Sequence, residues 1–66
     1  MTRTASRIYW YLRALGRLSD AALERLMPDV PPSTVRASRL NLVRCGVVCV
    51  AGRSQDGTRW LWRVVT

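Results

Sequence analysis

Five interruptions limit what this chain can build: Gly16, Pro28, the Pro31-Pro32 pair, Gly46 and the Asp56-Gly57 dipeptide. A proline denies helical geometry to the residue before it, so Pro28 stops any helix before Met27. Asp29-Val30-Pro31-Pro32 then forms a short rigid turn. Gly46 is a natural residue just past a helix end, and Asp56-Gly57 is a strong hairpin signal. What lies between these breaks are short segments with clear periodicities.

Ile8, Leu12 and Leu15, with Tyr11 beside them, fall at the spacing of an apolar helical stripe, capped by Thr4 or Ser6. Ser19 is a good N-cap for a second helix, Asp20 suits its first turn, and Leu23 and Leu26 point inward. A third helix is expected from Ser33 to Cys45, with Ser33 or Thr34 near its cap and Val35, Leu42 and Val43 on its core face. Val47 to Ala51 is rich in β-branched residues and reads as a strand. Arg59 to Val65 is its return, with Trp60, Trp62 and Val64 on one face and Leu61, Arg63 and Val65 on the other. The predicted order is helix, helix, helix, hairpin: one domain over residues 1–66, mainly α with a two-stranded hairpin.

Charge narrows the function. Eleven basic residues, all arginine, oppose four acidic ones, for a net charge of +7. A dense positive field on a small domain favours a polyanion: DNA, RNA or an anionic membrane. No apolar run approaches the roughly 18–20 residues a membrane span needs. Ile8 to Leu18 is broken by Arg13 and Arg17, so it does not read as a signal peptide, and a cytoplasmic protein is expected. Lys and Phe are absent and Ile and Asn occur once each. That scarcity of AT-rich codons points to a GC-rich source such as an actinobacterium or its phage. Cys45 and Cys49 cannot complete a zinc site by themselves; they read as buried free thiols, and no cofactor is expected. With no His, no nucleophile beside a base and no Gly-rich phosphate loop, an enzyme is not expected.

The stretch Pro32-Ser33-Thr34-Val35-Arg36, followed by Leu42-Val43-Arg44-Cys45-Gly46-Val47-Val48, resembles the recognition helix and following strand of MarR-like and related small winged helix-turn-helix proteins. Gly52-Arg53, Asp56-Gly57 and Leu61-Trp62-Arg63-Val64 resemble their wing. The resemblance covers roughly Ser19 to Val65. It implies a winged helix-turn-helix fold, three helices followed by a two-stranded wing, that binds double-stranded DNA as a transcriptional regulator or phage DNA-binding factor.

Under that resemblance, the third helix enters the major groove and the wing meets the backbone or minor groove. A helical wheel sets Ser33, Ala37, Leu40, Asn41 and Arg44 opposite Val35 and Leu42, with Thr34 and Arg36 on the flanks. Ser33 and Thr34 lie where free N–H groups at a helix start hold a phosphate. Arg36 and Asn41 suit guanine and adenine edges, and small Ala37 permits close approach. Arg44 is placed to reach a phosphate or to satisfy the helix dipole. Arg53 and Arg59 bracket the wing tip, and Arg3 and Arg7 add N-terminal phosphate contacts. Arg39 falls near the core and is expected to pair with Asp20 or Glu24.

Trp60 and Trp62 are expected as packing anchors rather than stacking platforms. Trp10 points aside from the apolar stripe. Packing is favoured for it, but Tyr9 and Trp10 together are also a candidate contact for a second copy or a larger protein. The alternatives to a regulator are a winged-helix protein–protein interaction module, an excisionase-type recombination directionality factor and, more weakly, an RNA binder.

Overall fold

The computed structural model describes residues 2–65. Helix α1 spans Arg3–Leu15, strand β1 Leu18–Ser19, helix α2 Asp20–Leu26, helix α3 Pro32–Arg44, strand β2 Val48–Arg53 and strand β3 Trp60–Val64. Three helices thus pack with a small antiparallel sheet of order β1-β3-β2, a mixed α/β fold.

The sheet has three strands where the sequence suggested two. Leu18 pairs with Trp62 and Ser19 with Leu61, which places β3 in the middle. Two residues are too few to display an alternation, and Ser19 also serves as the α2 cap: its hydroxyl accepts from the Ala22 N–H at 3.1 Å. The cap signal masked the strand.

The helix starts differ slightly from expectation. Thr2, rather than Thr4 or Ser6, caps α1; its side chain accepts from the Ala5 N–H at 3.2 Å. In α3 the extended Pro31 occupies the cap position and Pro32 the first helical position, where the missing proline N–H costs nothing. The N–H groups of Thr34 and Val35 both donate to the Pro31 carbonyl, at 3.0 and 3.1 Å. Neither Ser33 nor Thr34 is the cap; both lie inside the first turn. At the other end, Gly46 takes φ 76. Its N–H donates to Val43 O at 3.0 Å, and that of Val47 to Leu42 O at 2.9 Å. This is the Schellman arrangement, which calls for a glycine at the left-handed position.

Strands β2 and β3 form the hairpin. Val48 faces Val64 and Val50 faces Trp62; the register then shifts, so that Gly52 faces Leu61 and Arg53 faces Trp60. Ala51 is the extra residue of a bulge, and Gly52 adopts φ 124, open to glycine but strained for other residues.

The core consists of Ala5, Ile8 and Leu12 from α1, Leu23 and Met27 around α2, Val35 and Leu42 from α3, and Val48 from β2. Tyr11, Leu18, Val30, Val43, Val47, Trp62 and Val64 pack against it while half-buried. Five expectations fail here. Leu26, expected to point inward with Leu23, is only half-buried and lies outside the core. Leu15 is exposed in the last turn of α1, and Leu18 from β1 contributes to the core instead. Trp60 is exposed, because it lies beyond the bulge towards the hairpin end. Trp10 is 62% exposed and outside the core; it lies on the side of α1 away from Ile8 and Leu12, with its ring edge-on to that of Tyr9, centroids 5.2 Å apart. Cys45, just past the end of α3, is exposed and Cys49 only half-buried, so neither is a core thiol. Among the described residues, no helix is long and apolar enough to cross a membrane.

Candidate functional site

Helix α3 divides cleanly. Val35, Ser38 and Leu42 are buried, whereas Ser33, Thr34, Arg36, Ala37, Leu40, Asn41 and Arg44 are exposed. Residues three and four apart are neighbours on a helix surface, so Ala37, Leu40, Asn41 and Arg44 form one continuous strip, with Ser33 at its N-terminal end and Thr34 alongside. The structure therefore brings five of the predicted site residues, Ser33, Thr34, Ala37, Asn41 and Arg44, to one outward face that carries no acid. Leu40, 40% exposed, belongs to the same strip. The helical wheel already places it there, but the sequence assigns it no contact.

Arg36 stands apart. Its Nε lies 3.6 Å from Glu24 Oε2, which draws the side chain towards α2. Arg39 is held more tightly: Nε and one terminal nitrogen reach the two Asp20 carboxylate oxygens at 3.0 and 2.7 Å. Its guanidinium also lies 4.1 Å from the centroid of the Trp62 ring, within cation–π range. Asp20 is therefore its partner, one of the two anticipated. Arg7 makes a third pair, binding both oxygens of Asp29 at 2.7 and 3.1 Å. The mutual hydrogen bonds raise the Arg7 pKa and lower that of Asp29. Arg7 thus offers a phosphate only a shared cation, whereas Arg3 is exposed with no acidic partner among the described residues.

In the hairpin, the Arg53 guanidinium stacks 4.1 Å over the Trp60 ring centroid and donates to the Gly57 carbonyl at 3.0 Å. The exposed tryptophan fixes the direction of the arginine. The sequence pattern missed this pairing because the bulge at Ala51 changes which residues face each other. Arg59 is exposed, and its guanidinium has no hydrogen-bond or acidic partner among the described residues. The one acid of the hairpin, Asp56, is turned into the loop and accepts from the Ser54 hydroxyl at 2.5 Å and from the Thr58 N–H and hydroxyl at 3.1 and 2.8 Å. These bonds, that from Ser54 foremost, lower its pKa to about 2.

A carboxylate depressed on folding adds stability that is complete above its unfolded pKa of about 3.9. That contribution is lost as the pH falls through about 2. A carboxyl-carbon NMR titration should place the Asp56 midpoint near 2, and Ser54→Ala should move it towards about 3.9. A wild-type midpoint already near that value would show that the loop does not hold Asp56 as described.

Electrostatically, three of the four acids are taken up in ion pairs with Arg7, Arg36 and Arg39. The other eight of the eleven arginines have no acidic partner among the described residues. The paired acids lie in or beside α2, and the outward strip of α3 is left cationic at Arg44 and otherwise neutral. No protein-family model matches the chain, and no curated protein or solved structure matches it significantly.

Proposed function

We propose that the protein is a winged helix-turn-helix domain that binds double-stranded DNA, with α3 in the major groove and the β2–β3 hairpin as a wing against the backbone or minor groove. The element order helix, strand, helix, helix, strand, strand supports this, as does the short β1 that pairs with β3. The observation that carries the reading is the sorting of charge: the acids near α2 are paired with Arg7, Arg36 and Arg39, while the outward face of α3 is acid-free and, Leu40 apart, lined by small or polar groups. A helix with such a face can lie in a groove about 12 Å wide without a charge clash. Arg44, Arg53 and Arg59 then supply phosphate contacts, with Arg3 as an N-terminal addition. A transcriptional regulator or phage DNA-binding factor in the cytoplasm is the role this suits, and an excisionase-type factor is a version of it.

A second reading rests on Trp10. Its exposure beside Tyr9, whose hydroxyl accepts from Arg13 at 3.0 Å, favours a contact with another protein or a second copy. The two surfaces lie on different helices, so both can operate in one molecule.

Titration of a labelled random-sequence duplex at increasing salt tests the first reading. Affinity should fall with a log–log slope of about −0.9 per phosphate neutralised. Arg44→Ala and Arg53→Ala should each make the slope shallower by about one, while Trp10→Ala leaves it unchanged. Absence of duplex binding at low salt would overturn the DNA reading and leave Trp10 as the functional surface.

A further inference from the structure

The proposed DNA face contains one group that phosphate contacts do not use. Leu40 is an apolar side chain 40% exposed, in the middle of the outward strip, one turn from Ala37 and adjacent to Asn41 and Arg44. An isolated exposed leucine needs no explanation on a generic surface. On a helix lying in the major groove it would face base edges, and the apolar group those edges present is the C5-methyl of thymine. Asn41, on the same strip, has the side chain whose bidentate hydrogen bonds fit the N6 and N7 of adenine. An A·T pair presents the adenine edge and the thymine methyl side by side.

The arginines sharpen the point. Guanine is read most often by a guanidinium. Arg39 is locked on Asp20, and Arg36, 3.6 Å from Glu24, lies beside the strip rather than on it, so the centre of the strip holds no cation. Resting on the DNA-binding reading, we infer that α3 selects A·T pairs, with Leu40 and Ala37 against thymine methyl groups and Asn41 on adenine. Arg44, at the C-terminal end of the strip, stays on the backbone.

The test starts from a duplex selected from a random library. Each thymine in it is then replaced by deoxyuridine, which removes the methyl group and keeps every hydrogen-bonding atom. Affinity should drop about fourfold for each contacted methyl, the worth of one buried apolar carbon. Leu40→Ala should shrink the gap between the thymine and deoxyuridine duplexes to the part that the Ala37 contact leaves, and Asn41→Ala should lose the preference for adenine beside the contacted thymine. Leu40→Gln, checked with Leu40→Ala by circular dichroism, guards against a folding defect at this exposed position. A selected site with only G·C pairs in its core, or equal wild-type affinity for the two duplexes, overturns the inference and leaves DNA binding intact. A library that yields no bound duplex overturns both.

Discussion

Leu12→Ala should cost about 3 kcal/mol of folding stability, while Leu15→Ala, on the same helix, should stay within about 0.5 kcal/mol of wild type. Leu12 is 1% exposed and Leu15 58%. The first substitution opens a cavity in a core of eight buried apolar residues; the second trims a side chain that is already largely in water. A domain of this length has on the order of 3–10 kcal/mol to lose, so the Leu12 variant should be substantially unfolded on modest warming. Urea denaturation read by far-ultraviolet circular dichroism gives both midpoints. Equal losses would mean that α1 is rotated about its axis relative to the arrangement described.

Arg39→Ala should be the most damaging single loss of charge. The side chains of Arg39 and Asp20 are only 14% and 25% exposed, so removing the arginine strands a carboxylate that water reaches poorly. Breaking a fully buried pair from one side costs about 3–5 kcal/mol. Discounted for the residual exposure, about 2 kcal/mol is expected here, a fall in melting temperature on the order of 10 °C for a domain this small. The loss includes the stacking on Trp62. Removing both charges, in Arg39→Leu with Asp20→Ala, should recover much of the stability, since no charge is then left alone. Arg7→Ala breaks the solvent-exposed pair with Asp29 and should have the smaller effect. If differential scanning calorimetry ranks Arg7→Ala above Arg39→Ala, the Arg39–Asp20 pair does not anchor α3 to α2.

The boundaries set by proline and glycine were legible because they are local. Pro28 ends α2 at Leu26, and Gly46 follows α3, each through the geometry of one or two residues. The outward face of α3 was also legible, since Val35 and Leu42 fix the rotation of the helix and the remaining positions follow from its period. Arg39 could be assigned a structural role because its wheel angle placed a charge where only a partner makes it tolerable. Less was visible wherever the answer depended on two distant segments. Strand β1 exists only because Leu18 meets Trp62. The exposure of Trp60 depends on how far the hairpin extends past the core. The drawing of Arg36 towards Glu24 depends on the packing of α2 against α3. Met27 was overlooked as a core residue because it follows the last helical position of α2, yet it is completely buried.

The bulge at Ala51 has a consequence for the molecule among its neighbours. With β3 in the centre of the sheet, β2 has β3 on one side and, among the described residues, no strand on the other. Such an edge is a template on which another chain can add a strand, and Val48-Cys49-Val50 offers it β-branched residues and no charge. The extra residue and Gly52 break the edge after these three positions, twisting the strand away from the flat course a newcomer would need. The irregularity that sets Arg53 opposite Trp60 therefore also shortens the stretch available for edge-to-edge growth to three residues.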